Sequence, residues 1–347
     1  MPRRRNKENR GLPSRWQFYH GAYYYLVPPG LEHLWEGKKR FRLGRTLTEA
    51  HREWATRLEL QEDAKTIGEL LDHYALQHVP TLRPKTQASY LAAIKRLKPV
   101  FGAMPILALK ASHVYKYIHK RGARKVASIE VGVLSHAYTK AIEWGLIDQH
   151  PIKKNVVKPG NPPRDRYVED WELLETLSLP ARRKKGSVKV VQAFLRIKLL
   201  TGRRRVEILR VRSTDLLDVG VRFTLAKKQS RKTLIVEWSD ELRQAVQSAL
   251  DARPMDIAPW LFCTRRGKPY VREDGSANGW DSMWQRFMYR VLKETAVSER
   301  FTEHDIRAKA GSDSESLDRA RQLLAHADSK ITDRVYRRKP EVVKPLR

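Results

Sequence analysis

The chain has 347 residues, one cysteine (Cys263), and 69 Lys+Arg against 39 Asp+Glu, a formal net charge of +30. Hydrophobic residues make up 41%, with 9 Trp, 13 Tyr and 8 Phe, which supports buried cores and excludes a wholly disordered chain. One thiol excludes an internal disulfide or a cysteine-rich zinc site, and no stretch approaches the about 18 consecutive apolar residues of a membrane span. MPRRRNKENRGLP has no apolar segment behind it, and neither lipidation motif is present, so no secretory signal or lipid anchor is expected. A surface this basic repels itself unless a polyanion meets it. Nucleic acid is the expected partner, because each Lys or Arg on a phosphate releases a condensed counterion.

The first expected unit covers 1–62. Its leading arm carries Arg3, Arg4 and Arg5 with little to pack. Three β-like runs follow: Trp16-Gln17-Phe18-Tyr19, Tyr23-Tyr24-Tyr25-Leu26-Val27 and Arg40-Phe41-Arg42-Leu43, the first two joined by a His20-Gly21-Ala22 turn. Alternation puts aromatics on both faces, so at least one of Tyr23, Tyr24 and Tyr25 belongs to the core. Thr46-Leu47-Thr48-Glu49 is a capping box that opens a helix to about residue 60. A small three-stranded sheet with one helix, bearing aromatic and basic residues, suits insertion into a DNA groove.

Residues 66–155 read as all-helical. Thr66-Ile67-Gly68-Glu69 is a second capping box, Pro84 opens the next helix, and further helices are predicted over 111–121 and 127–144. Lys95, Lys120 and Arg121 are among the basic residues that decorate this bundle and are candidate DNA contacts. A Pro/Gly-rich linker, 156–166, precedes a mixed α+β unit over 167–347. Its predicted helices span 169–177, 187–200, 204–211, 239–252, 280–296, 304–310 and 316–326. Its predicted strands, 220–225 and 232–238, are joined by a basic turn. Trp260, Trp280 and Trp284 are expected in its core and Cys263 is expected buried. No Rossmann or P-loop glycine motif is present, so no nucleotide cofactor is expected.

Four pieces of this last unit are hard to explain as scaffold. An apolar helix runs into Thr201-Gly202-Arg203-Arg204-Arg205-Val206-Glu207. His304-Asp305-Ile306-Arg307 puts an imidazole and a guanidinium on one helical face. Leu323-Leu324-Ala325-His326 closes another apolar helix, and Tyr336 lies among arginines. Two guanidiniums can grip one phosphodiester, a phenol beside cations is favoured as phenolate, and histidine exchanges protons near neutrality. That is a kit for cutting DNA without metal.

These residues resemble the tyrosine recombinases, most closely the lambda-type bacteriophage integrases. The T-G-x-R-x-x-E/D box stands as Thr201 to Glu207, the H-x-x-R box as His304 to Arg307, and the L-L-G-H box with its following nucleophile as Leu323 to His326 and Tyr336. The resemblance implies that Arg204 and Arg307 clamp the scissile phosphate. His304 would assist proton transfer, His326 would donate to a phosphate oxygen, and Tyr336 would form a covalent 3′-phosphotyrosine. Glu207 would buttress the site, and Arg203 and Arg205 would face DNA or solvent. The general-acid lysine would lie in Lys227-Lys228-Gln229-Ser230-Arg231-Lys232, with Lys228 preferred over Lys227 and Lys232 past the turn. Residues 1–62 would be an arm-type DNA-binding domain and 66–155 a core-binding domain.

The implied protein is a site-specific recombinase in the bacterial host cytoplasm, associated with the nucleoid. It would act as a homotetramer on double-stranded DNA, bind core-type and arm-type sites, and need neither metal nor ATP. DNA-bending accessory proteins and an excision factor are further partners to look for. A type IB topoisomerase-like enzyme and a non-catalytic DNA-binding regulator on the same fold are the alternatives. Ala325 in place of glycine, and ten residues from His326 to Tyr336 instead of about nine, depart from the pattern.

Overall fold

The computed structural model describes residues 9, 12–13, 15–59, 64–158, 160, 164–183, 185–225, 233–273, 275–326, 328–340 and 345. They fall into two compact units, Met1–Pro162 and Pro163–Arg347. Among the described residues no helix is long and apolar enough to cross a membrane.

The first unit opens with three antiparallel strands, β1 (Trp16–Tyr19), β2 (Ala22–Leu26) and β3 (Arg40–Gly44), in the order β1-β2-β3. The first turn is His20-Gly21, with φ of 46° and 69°, the left-handed pair a two-residue hairpin needs to match strand twist. It is one residue shorter than expected because Ala22 already pairs with Tyr19. Register then sorts the aromatics. Trp16, Tyr25 and Phe41 lie opposite one another and are buried, whereas Gln17, Tyr24 and Arg42 form the neighbouring row. Helix α1 (Leu47–Glu59) packs on the sheet, capped by Thr46, whose Oγ1 accepts from the Glu49 N–H at 3.2 Å.

Helices α2 (Ile67–Gln77), α3 (Pro84–Phe101), α4 (Ala111–Arg121) and α5 (Arg124–Glu143) follow. The Thr66–Glu69 capping box is formed, and Pro84 sits in the first turn of α3, where its missing N–H costs nothing. Buried carboxylates stitch the bundle. Glu130, 1% exposed, accepts from the Tyr117 hydroxyl at 2.7 Å and from Arg121 Nε at 3.1 Å. Asp72 accepts from Lys98 Nζ at 2.8 Å and lies 3.0 Å from His33 Nε2. His33 belongs to the short turn between β2 and β3, so this contact ties the sheet to the helices, and the two share one apolar cluster.

The second unit contains α6 (Asp170–Ser178), α7 (Ser187–Thr201), α8 (Arg205–Leu209), β4 (Leu216–Leu217), β5 (Gly220–Thr224), β6 (Thr233–Glu237), α9 (Asp240–Asp251), α10 (Asn278–Glu294), α11 (Glu303–Ser312), α12 (Leu317–Leu324) and α13 (Ser329–Tyr336). The strands make an antiparallel β4-β5-β6 sheet. Helix α7 is apolar on most sides, with Val191, Phe194, Leu195 and Ile197 buried. Such a helix is stable only when surrounded, and α9, α10 and α11 pack on it. Trp280 meets Phe194 at 4.6 Å between ring centroids. Trp284 and Cys263 are buried as expected. Trp260, expected in the core, is only half-buried, and the Arg212 guanidinium lies over its ring at 4.5 Å.

Candidate active site

The site begins where α7 ends. Gly202 caps that helix in the left-handed conformation (φ 61°), and a side chain there would lie 2.9 Å from Leu324 Cδ2. The sharp turn sends three successive arginines in three directions. Arg203 points inward and is wholly buried, its Nε donating to the Thr201 carbonyl at 3.1 Å; burial pushes its pKa down to about 10. Arg205 is half-buried and pairs with Asp281 at 2.6 Å. The expectation of a DNA-facing or solvated residue is therefore corrected for Arg203, whereas Arg205 keeps 32% of its side chain exposed. The left-handed residue redirects the chain, so neighbours of identical type meet different surroundings. Arg204 starts α8. Its N–H donates to Glu207 Oε2 at 3.0 Å and its Nη1 to Glu207 Oε1 at 3.1 Å, so the wholly buried Glu207 carboxylate fixes both its backbone and its guanidinium.

Beneath this turn lies Lys198, which sequence reasoning passed over as part of a core helix. Its Nζ donates to the Arg203 carbonyl at 3.0 Å. Burial holds its pKa down to about 7, against partial opposition from Glu303. Glu303 in turn accepts from Trp280 Nε1 at 2.7 Å. The available signal was a lysine inside an apolar run four residues before Gly202.

Helix α11 supplies His304 and Arg307. Arg307 is fully buried, and its guanidinium bridges the C-terminal ends of two helices. Nη1 donates to the Gly202 carbonyl that follows α7, and Nη2 donates to the Leu324 carbonyl at the end of α12 at 2.7 Å. Both ends carry the negative pole of a helix, which offsets the cost of burying the cation. Nη2 also lies 3.0 Å from His326 Nε2. A guanidinium only donates, so Nε2 accepts and the ring proton sits on Nδ1, which reaches Thr332 Oγ1 at 2.9 Å. Ala325 makes the turn between Leu324 and His326 in the left-handed conformation, φ 49°.

Tyr336 ends α13, a helix absent from the sequence expectations because SKITDRVY is short and mostly polar. Its phenol ring is 4.6 Å from the His326 ring, 5.2 Å from the His304 ring and 5.4 Å from the Arg307 guanidinium carbon, all within one chain. Tyr336 is 7% exposed. His304 stays open to solvent. Desolvation by its neighbours, then the charges of Lys198, Arg307 and Arg338, hold its imidazole below the usual range. Because the residue is exposed, water moderates that shift. Burial, then the Arg204 charge, lowers the Arg307 pKa while Tyr336 opposes the change, so the two arginines of the expected clamp act on each other.

The remaining candidates are spread more widely. Lys95 and Lys120 are exposed and border a groove of about 1080 Å³ floored by Phe101 and Met104. Arg121 borders the same groove but is paired to Glu130. Arg3, Arg4, Arg5, Lys227, Lys228 and Lys232 lie outside the described residues. Among the described residues no group of three or more His, Cys, Asp or Glu is placed to hold a metal ion.

Comparison with known proteins agrees with this arrangement. The model of the phage integrase N-terminal SAM-like domain matches residues 66–121, and that of the phage integrase family matches residues 175–341. Together they take in well over half of the sequence, and the chain belongs to the phage integrase family of tyrosine recombinases. No curated protein matches. Among solved structures, a lambda integrase tetramer bound to a Holliday junction is 17% identical with a TM-score of 0.63, over 97% of this chain and 99% of that one. The Tn1549 transposon integrase in complex with circular intermediate DNA is 17% identical with a TM-score of 0.60, over 78% of this chain and 94% of that one. At these identities the likeness establishes the fold.

Proposed function

We propose that this site-specific recombinase cuts and rejoins DNA through Tyr336. The observation that carries the reading is the burial of the Tyr336 phenol against His304, His326 and Arg307 of its own chain. The Tyr336 oxygen attacks the scissile phosphorus, an O–P bond forms, and the bond to the 5′ oxygen breaks. The phenol proton passes to His304, whose lowered pKa keeps it neutral and able to accept. Arg204 and Arg307 neutralise charge on the nonbridging oxygens. His326 stabilises one of those oxygens by donating from Nε2, once Arg307 has released that nitrogen and the ring proton has moved to it, with the Thr332 hydroxyl then donating to Nδ1. The leaving 5′ oxygen takes a proton from a lysine of the basic sequence 227–232, with Lys228 preferred over Lys227 and Lys232. Attack by a 5′-hydroxyl of the partner duplex reverses these steps, so the energy of the phosphodiester is kept in the phosphotyrosine.

The partner is double-stranded DNA. Residues 1–62 serve as the arm-type DNA-binding domain, with the Gln17–Tyr24–Arg42 row as its reading face, and 66–155 as the core-binding domain. Residues 156–166 link these to the catalytic domain, 167–347. Strand exchange between two duplexes uses four protomers, the assembly named for lambda integrase on a Holliday junction. Integration of phage DNA in the host cytoplasm follows, with excision as the same chemistry in the other direction.

Covalent capture on a nicked suicide duplex tests the reading. Wild type should yield a protein–DNA adduct mapping to Tyr336, and Tyr336→Phe should yield none. Equal adduct from both would assign the wrong nucleophile. Plasmid relaxation without two-site recombination would favour a topoisomerase-like enzyme.

A further inference from the structure

The segment leaving Tyr336 is fastened to the helix that carries His304 and Arg307. Arg338 Nη1 donates to Asp305 Oδ1 at 2.7 Å and to the Arg166 carbonyl at 3.1 Å, while its Nε donates to the Val335 carbonyl at 2.9 Å. The pair is buried, with side-chain exposures of 4% for Arg338 and 0% for Asp305. Asp305 also caps α11 through the Thr302 N–H and hydroxyl, both at 2.8 Å, and has Arg164 as a second cation at 3.2 Å. Ser312, at the far end of the same helix, makes a backbone clasp. Its hydroxyl donates to the Tyr336 carbonyl at 2.7 Å and accepts from the Arg338 N–H at 2.7 Å. Gly311 leaves room for the close approach, since a Cβ there would meet Tyr336 Cβ at 3.3 Å.

Three features make this more than a tail anchor. Asp305 is the residue next to His304 and two before Arg307, so the ion pair joins the nucleophile's segment directly to the helix carrying two groups it must meet. The contacts to α11 are made at the Tyr336 carbonyl and at both the backbone and the side chain of Arg338, immediately beyond the phenol, which restrains where it points. A buried carboxylate with two arginine partners is costly to build by chance, because each charge must be desolvated. We propose that Arg338 is a positioning residue. Through Asp305 and Ser312 it latches the nucleophile-bearing segment against α11, which fixes where the Tyr336 phenol is presented relative to His304 and Arg307. This rests on the reading of Tyr336 as nucleophile.

The test uses the full-length chain and a pool of nicked duplexes with a randomised core, enriched by covalent capture on wild type. Single-turnover adduct formation is measured beside duplex affinity and melting temperature. Arg338→Ala should slow adduct formation about 10- to 100-fold, the range for a slightly misplaced reacting group, with affinity unchanged. Arg338→Lys, which keeps a cation for Asp305, should recover part of the rate. Ser312→Ala leaves the ion pair intact and should also slow the step, which keeps the test decisive if Arg338→Ala does not fold. Wild-type rates in Arg338→Ala or Ser312→Ala would overturn the latch while leaving the chemistry standing. A wild-type chain that captures no duplex would overturn the nucleophile assignment and the latch together.

Discussion

Gly202→Ala is the substitution whose cost the structure defines most directly. The residue has φ 61° as the cap of α7, a conformation that disfavours an L-side chain by about 1–2 kcal/mol. The new Cβ would also lie 2.9 Å from Leu324 Cδ2 and 3.4 Å from Leu323 Cγ. Leu324 is fully buried, so it has little free space to retreat into, and overpacking of this kind costs about 1–3 kcal/mol. The sum, about 2–5 kcal/mol, corresponds to a fall of roughly 5–15 °C in the melting of a unit this size. Adduct formation should fall further than stability predicts, because the Gly202 carbonyl is an acceptor for Arg307. Differential scanning calorimetry with single-turnover capture reads both effects. Melting within about 1 °C of wild type would refute the claim that Gly202 is held left-handed against α12.

The mirror substitution, Ala325→Gly, relieves a left-handed alanine (φ 49°) and should stabilise the chain by about 0.5–1 kcal/mol, seen as a higher melting temperature with capture rate retained. Lys198 has its pKa depressed from 10.5 to about 7, so between those values the unfolded chain binds more protons than the folded one. Wild-type stability should therefore gain from a rise in pH over that window and lose as pH falls through 7. Urea midpoints at the two ends of that window should show a smaller rise in Lys198→Met. Glu130→Gln removes the charge that Arg96 and Arg121 share. It should cost about 1–3 kcal/mol, discounted for the solvent around both arginines, and show as a lower melting temperature. Duplex affinity should fall steeply and linearly on a log–log salt plot; a flat plot would contradict phosphate binding as the role of the net charge.

Much of the fold was legible because its signals are local. Thr66 and Glu69 cap, Pro84 and Gly202 punctuate, and the apolar period of α7 marks a central helix. The boxes also spaced His304, Arg307, His326 and Tyr336 well enough to anticipate their meeting. Other features depend on direction and long-range contact, which composition does not encode. Arg203, Arg204 and Arg205 are indistinguishable as letters, and the left-handed turn at Gly202 goes with one being entombed, one held by Glu207 and one paired with Asp281. The ion pair of Asp305 with Arg338 spans 33 positions, and neither residue breaks a local pattern. Helix α13 is held by contacts with α11 and α12, with weak intrinsic preference behind it. Lys198 looked like a blemish in an apolar run because its partner is a backbone carbonyl that any residue could supply.

The stowed phenol has a bearing on how such a protein searches a genome. A basic molecule touches vast stretches of irrelevant duplex before it finds its target, and every touch is an opportunity for accidental damage. On the proposed reading of Tyr336, a phenol ring packed against its own helices would let the chain meet phosphates in passing while keeping its blade sheathed. Breakage would then await a backbone seated deeply enough to reach that ring, which would couple fidelity to fit.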